Sequence, residues 1–184
     1  MTDELYALLA GPVEEAARGL VGRRLRSEIG GSLCEVVLTE VEAYGGVDDP
    51  ASHAFDGRSA RNASMFGPAG TLYVYRSYGV HWCMNVVTGP EGEGSAVLLR
   101  AGAPVAGEEI MVRRRGRRDQ LADGPGKLAQ ALGVSGRNDG LSLLAPGPVR
   151  LVGGPGLEGT VVTAPRVGIS KARDRPWRFV LKVR

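Results

Sequence analysis

The sequence predicts an α+β fold built on an antiparallel sheet, and three observations carry that expectation. Strand patterns come first, a helical insert follows, and further strands close the chain. A parallel sheet would instead need strands and helices in strict alternation. The 28 glycines among 184 residues supply the tight turns that many short strands require. Finally, Thr71 to Thr88 carries β-branched and aromatic residues on both sides of Ser77-Tyr78-Gly79, which reads as a β-hairpin with its tip there.

Taken in order, Leu5 to Leu20 reads as helix in two pieces, interrupted at Gly11-Pro12. Pro12 suits the first turn of the second piece. There Val13, Ala16, Ala17 and Leu20 follow the i, i+3, i+4, i+7 spacing of one buried face. Arg23 to Ser27 and Leu33 to Tyr44 read as strands joined by a turn at Gly30-Gly31. In the second strand Glu40 and Glu42 share one face, with Val37, Thr39 and Val41 on the other. Val47 to Gly70 is a long connection with little periodicity, a kind that is usually functional or disordered. His53, Arg58, Arg61 and Phe66 favour function. After the hairpin, Ser95 to Ala101 is a strand, and Glu108 to Arg115 and Lys127 to Leu132 are helices. Val149 to Val152, Val161 to Val167 and Trp177 to Val183 are short strands between Gly/Pro turns. No repeat or linker divides the chain, so residues 1–184 are expected to form one domain.

Composition narrows the class. Hydrophobic content of 43% and charged content of 23% fit a globular protein with a real core. No apolar run is long enough to span a bilayer, and Met1-Thr2-Asp3-Glu4 is acidic where a secretion signal is basic. The cytoplasm is therefore the expected location, with no membrane partner. The net charge is +3, and of 23 basic residues only Lys127, Lys171 and Lys182 are lysines. Arginine clamps phosphate with a rigid fork, but a GC-rich genome explains the bias equally well. Cys34, Cys83, His53 and His81 show no C-x-x-C or H-x-x-x-H spacing. Buried structural thiols are expected, and no metal.

Val41 to Arg100 concentrates the chemistry. Aromatics make up only 5% of the chain, and most fall here beside Glu42, two histidines and Arg100. Flat rings for stacking plus one acid or base are what an extrahelical nucleobase calls for. The pieces Glu42-Ala43-Tyr44, Arg61-Asn62, Met65-Phe66, Gly70-Thr71-Leu72-Tyr73-Val74-Tyr75 and Tyr78-Gly79 occur in order. Cys83-Met84-Asn85, Leu98-Leu99-Arg100-Ala101, Gly124-Pro125 with Lys127-Leu128, and Arg166-Val167-Gly168 follow. In this ordered set the chain resembles the alkyladenine (3-methyladenine) DNA glycosylase family, from about Leu20 to its end. No single piece is decisive; the order is what makes the match specific.

The resemblance implies a curved sheet with flanking helices and a protruding, DNA-contacting hairpin. It implies a monofunctional enzyme without cofactor or metal, a monomer acting on duplex DNA with damaged purines from the minor-groove side. When on DNA it would sit with the nucleoid. Breaking an N-glycosidic bond leaves cationic character on the sugar while water attacks C1′, and one carboxylate can serve both needs. The resemblance gives that role to Glu42; Glu40, two residues back, is set aside by family position alone. Arg100 is implied beside it, against the simpler reading of a structural ion pair. Tyr44, His53 and Tyr75 match residues that sandwich the flipped base, where cationic purines gain cation–π attraction. Asn85 matches a residue that crowds out the amino group of normal guanine; otherwise it is an Asn at a strand end. Tyr78 matches the wedge that fills the emptied stack, unless the hairpin folds back on the core. Arg61 and Lys127 are assigned to the DNA backbone, the latter at a helix N-terminus. Val80 and His81 join them, although the family varies at both. The run Arg113 to Arg118 is either a further contact or a solvated face. A non-catalytic binder of distorted nucleic acid is the rival reading, but gains nothing from Glu42 beside phosphate. An unrelated small-molecule hydrolase leaves Tyr78 and the basic balance unexplained.

Overall fold

The computed structural model describes residues 2–153 and 157–183. The expected span of 1–184 thus includes Met1, residues 154–156 and Arg184, which lie outside the described residues. Along the chain come α1 (Thr2–Leu9), α2 (Val13–Leu20), β1 (Arg24–Ser27), β2 (Cys34–Gly45), β3 (Leu72–Ser77) and β4 (His81–Thr88). Then follow β5 (Ser95–Ala106), α3 (Glu108–Arg115), α4 (Pro125–Leu132), β6 (Val149–Val152), β7 (Gly159–Ala164) and β8 (Arg178–Val183).

Among the described residues all strand pairings are antiparallel, in the order β3-β4-β5-β2-β1-β6, with β8 joining β2 and carrying β7. The α+β expectation therefore holds, with β2 at the centre. Its first half pairs with β1 (Arg24↔Val37) and its second with β8 (Val41↔Phe179), while β5 runs along its other edge. The β2–β5 ladder is irregular between Leu38 and Val41, where β2 exchanges β1 for β8. This corrects the simple alternation expected for β2. The core positions are Val36 and Leu38 before the irregularity and Val41 and Ala43 after it. Val37 is buried but outside that cluster, so it does not continue the face of Val41. An extra residue in a ladder produces such a switch of face.

The main core lies between the sheet and the helices. It takes Val13, Ala16, Ala17 and Leu20 from α2, as their spacing predicted, and Leu128 and Leu132 from α4. Each buried Leu of this kind contributes about 1.5–3 kcal/mol. Pro12 is the residue just before α2 rather than part of its first turn. The strand expected to end at Ala101 runs on to Ala106, because the first half of β2 offers it partners as far as Glu35. The strand expected over Val161 to Val167 is shifted to Gly159–Ala164; Pro165 has no N–H for a ladder, and Arg166 and Val167 leave the sheet for other partners. A second cluster, of Ala54, Met65, Phe66, Tyr73, Val87 and Ala96, has Tyr44 and Tyr75 packed against it. It forms around the long connection between β2 and β3, which carries short 3-10 turns at Gly46–Asp48 and Ala63–Phe66.

Candidate active site

Beside this second cluster opens a cavity of about 580 Å³, within the usual range for small-ligand pockets. Tyr44, His53, Arg61, Tyr75, Tyr78, Asn85 and Arg100 all line it, although they come from β2, β3, β4, β5 and two loops. Val80, His81 and Lys127 do not line it. Val80 and His81 are exposed next to Tyr78 at the tip of the β3–β4 hairpin. Lys127 pairs with Asp123 at 3.0 Å and with Gln120.

Glu42 lies behind the cavity wall, fully buried. Three donors meet its carboxylate. The Tyr44 hydroxyl donates to Oε2 at 2.9 Å, the Val167 backbone N–H donates to Oε1 at 2.7 Å, and Arg100 Nη1 stands 3.4 Å from Oε2. All three donor residues line the cavity, so the carboxylate communicates with it through them. A buried carboxylate without such donors would be prohibitively unfavourable. Arg100 also donates from Nε to Glu40 at 2.7 Å, and Glu40 accepts from Arg178 at 3.2 Å. Burial pulls the Arg100 guanidinium down, but Glu42 and Glu40 together hold it above its ordinary value. Glu40 is thus the anchor of Arg100, and the ion-pair reading and the nearness to Glu42 are both true of that arginine.

The rings form the rest of the wall. His53 Nδ1 and the Tyr73 hydroxyl are hydrogen-bonded at 3.0 Å, and the His53 ring stands edge-on to Tyr75 at 4.5 Å. His53 and Tyr75 therefore pack on each other, leaving no slot between them. Tyr44 packs against the same second cluster as Tyr75. Burial, assisted by the nearby Arg61 charge, lowers the His53 pKa, which favours the neutral imidazole. Burial lifts the Tyr73 hydroxyl to about 12 and raises those of Tyr44 and Tyr75 further, with Glu42 adding to the first and Cys83 to the second. The tyrosines of the wall are uncharged at neutral pH. Asn85 is in the middle of β4, not at its end: it pairs with Tyr73 on one side and Leu98 on the other. Its amide donates to the Tyr73 carbonyl at 3.2 Å, which fixes the side chain where it faces the cavity.

Tyr78 is the sharpest local feature. It is 94% exposed, at φ 49°, and is followed by Gly79 at φ 68°. The Val80 N–H closes the turn onto the Ser77 carbonyl at 3.0 Å. Two successive positive φ values characterise the tight hairpin turn that matches strand twist. Asn or Gly is the usual first residue there, and a tyrosine strains the backbone. The Tyr78 ring itself is therefore not packed into the core, whereas Trp82 of the same hairpin is packed against it.

The Arg113 to Arg118 run is largely occupied within the molecule. Arg114 donates to the carbonyls of Ile29 and Ala131, Arg115 to Gln130, Arg117 to Asp119 and Arg118 to Glu109. Arg114 in particular faces inward, between α3 and α4.

Sequence reasoning missed Asp49 and left Arg166 without a role. The two form an ion pair with both side chains fully buried, at 2.5 and 2.9 Å. Asp49 also accepts from the N–H groups of Gly45 and Ala51. Burial alone would raise its pKa, but Arg166 and these N–H groups outweigh it, and the net shift is downward. A depressed carboxylate stabilises the fold fully above its unfolded pKa of about 3.9 and loses that contribution as pH falls through the native value. Asp49→Asn is therefore expected to cost about 3–5 kcal/mol at pH 7, the penalty for an uncompensated buried partner. The deficit should shrink as pH drops below 4. Urea titrations of both proteins from pH 7 to pH 3 check this; a deficit constant with pH would refute it.

A buried carboxylate served by donors from the wall of an aromatic cavity has the parts that hydrolysis or proton transfer on a flat ring requires. Comparison with known proteins makes the class specific. The family model described as methylpurine-DNA glycosylase (MPG) matches residues 7–184. A Rhodopseudomonas palustris (strain HaA2) protein named "Putative 3-methyladenine DNA glycosylase" is 53% identical over 94% of this chain and 84% of its own length. Identically named proteins of Frankia casuarinae (52% identity, 79% of this chain, 75% of theirs) and Nocardia farcinica (51%, 90% and 81%) are similar. The chain belongs to the methylpurine-DNA glycosylase family.

Proposed function

We propose that this protein flips alkylated or deaminated purines out of duplex DNA and hydrolyses their N-glycosidic bond, with Glu42 activating the water, in base excision repair. The observation that carries the reading is Glu42 itself, buried behind an aromatic cavity and held by Tyr44, Val167 and Arg100. In this reading the water comes to the carboxylate from the cavity side, where Arg100 and Val167 both line the wall. Its oxygen attacks C1′, its proton passes to Glu42, and the glycosidic electron pair leaves with the base. A carboxylate in this place also stabilises the developing sugar cation. Tyr44 takes one face of the base, and Tyr75 with His53 the other. A neutral imidazole accepts a cationic purine without repulsion. Asn85 sits where it restricts the exocyclic group of the base. Tyr78 enters the stack from the minor groove, and Arg61, Val80, His81 and Lys127 meet the backbone on either side. The protein would do this as a cytoplasmic monomer.

The test is base release from a duplex with one hypoxanthine, and from one with 7-methylguanine, in the presence of EDTA. Free base with an abasic, unbroken strand is the expected product, because no lysine stands at the position of Glu42 to form a Schiff base. Strand scission in step with base release, or binding without any release from either duplex, would overturn the reading.

A further inference from the structure

Arg166, which does not line the cavity, stacks on the ring of Tyr44, which does. The Arg166 guanidinium carbon lies 4.7 Å from the centroid of the Tyr44 ring and 5.3 Å from that of Trp177, and Arg175 lies 4.8 Å from Trp177 on its own account. Arg175, Trp177, Arg166 and Tyr44 thus follow one another at cation–π distance, and of the four Tyr44 lines the cavity. Arg166 also donates to the carbonyl of Ala43, the residue between Glu42 and Tyr44, and to that of Ala172 beyond the loop that carries Val167. Through Asp49 it secures the turn after β2. One guanidinium therefore fixes the strand of Glu42, the plane of Tyr44 and both loops around the cavity. It also acts on the Tyr44 ring as a nearby positive charge.

We propose that Arg166 is a positioning residue that acts through Tyr44 and lowers the preference of the pocket for cationic over neutral purines. The inference rests on the stacking of the base on Tyr44 proposed above. A ring attracts a cation through the negative potential over its face. When one face already holds a guanidinium, the opposite face attracts a second cation less strongly. Stacking of a neutral base is affected much less. With Arg166 in place, Tyr44 treats neutral lesions such as hypoxanthine and cationic ones such as 7-methylguanine more evenly than a bare tyrosine would.

The experiment compares single-turnover release of 7-methylguanine and hypoxanthine from otherwise identical duplexes. The double variant Asp49→Asn with Arg166→Gln keeps hydrogen bonding across the pair without either charge. Its ratio of 7-methylguanine to hypoxanthine release is expected to rise at least about threefold over wild type, a change within the span of a cation–π contact. Trp177→Leu keeps the ion pair but removes the outer ring that shares the cation, so the ratio is expected to fall. If the double variant does not fold, the direction of the Trp177→Leu shift decides. Arg166→Lys retains a positive charge and should stay nearer to wild type than the double variant. A merely structural role slows both releases alike and leaves every ratio within the error of wild type, which would overturn the proposal. Wild type releasing neither base would instead count against the glycosylase reading itself, so the two failures are distinct.

Discussion

Replacing Glu42 with Gln is expected to leave affinity for damaged duplex within about twofold of wild type and to slow base release by roughly 100- to 10,000-fold, the span usual for a general base. The amide is the same shape, so its oxygen can keep the Val167 N–H, and the Tyr44 hydroxyl can reverse and accept from the amide nitrogen. Arg100 does not become an orphan charge, because its Nε remains paired with Glu40. The variant is thus expected to fold. What it loses is a base to take the proton of the water and a negative charge beside the developing sugar cation. Single-turnover release and duplex binding, measured on the same preparation, separate these effects. Release within tenfold of wild type would mean that another group does the work. Glu40 would then be the first to examine, although its carboxylate already serves two arginines, Arg100 and Arg178.

Much of this site was legible before any fold was known, because its parts are local. The spacing of Val13, Ala16, Ala17 and Leu20 describes one face of one helix, and all four are buried. The hairpin around Ser77-Tyr78-Gly79 is a matter of turn chemistry and short-range pairing. Glu42 and Tyr44 are two apart on a strand, so their shared face needed no tertiary information, and a hydrogen bond joins them. What escaped depended on distant partners. The irregularity between Leu38 and Val41 arises because β2 exchanges β1 for β8, strands that are far from each other in sequence. Its cause lies in chain order, not in the residues of β2. Asp49 and Arg166 are 117 positions apart; each alone reads as a surface charge. Val167 contributes a backbone N–H, which side-chain patterns do not reveal. A signal did exist: Arg166-Val167-Gly168 was among the matched pieces, in a stretch where periodicity favoured a strand. An arginine placed at the end of an apolar run needs a buried partner, and Asp49 was available. The Arg113 to Arg118 run, left open between a DNA contact and a solvated face, shows the same dependence on distant partners. Its charges count in composition, yet Arg117 and Arg118 are paired with carboxylates and Arg114 and Arg115 are hydrogen-bonded within the molecule.

Tyr78→Asn is expected to separate folding from function at the hairpin tip. With 94% of its surface exposed, the tyrosine contributes almost no burial to the fold. Its φ of 49° lies in a region that asparagine tolerates and tyrosine does not favour. The variant should therefore unfold at the same urea concentration as wild type or a higher one. Its action on DNA should suffer heavily. An unpaired, unstacked nucleotide costs a few kcal/mol, and a wedge in the vacated stack is the means by which a protein offsets that cost. Without the ring, about 2 kcal/mol of that compensation is lost, and base release should fall about 30-fold. The loss should be largest opposite a fully paired lesion and smallest in a mismatched or single-stranded one, where less stacking has to be broken. Stability measured by urea titration and single-turnover release on paired, mismatched and single-stranded substrates make the comparison. A uniform loss on all three would assign Tyr78 to general DNA contact. An unchanged rate on the paired substrate would remove the wedge from the mechanism, and would leave the strained, exposed tyrosine without a function.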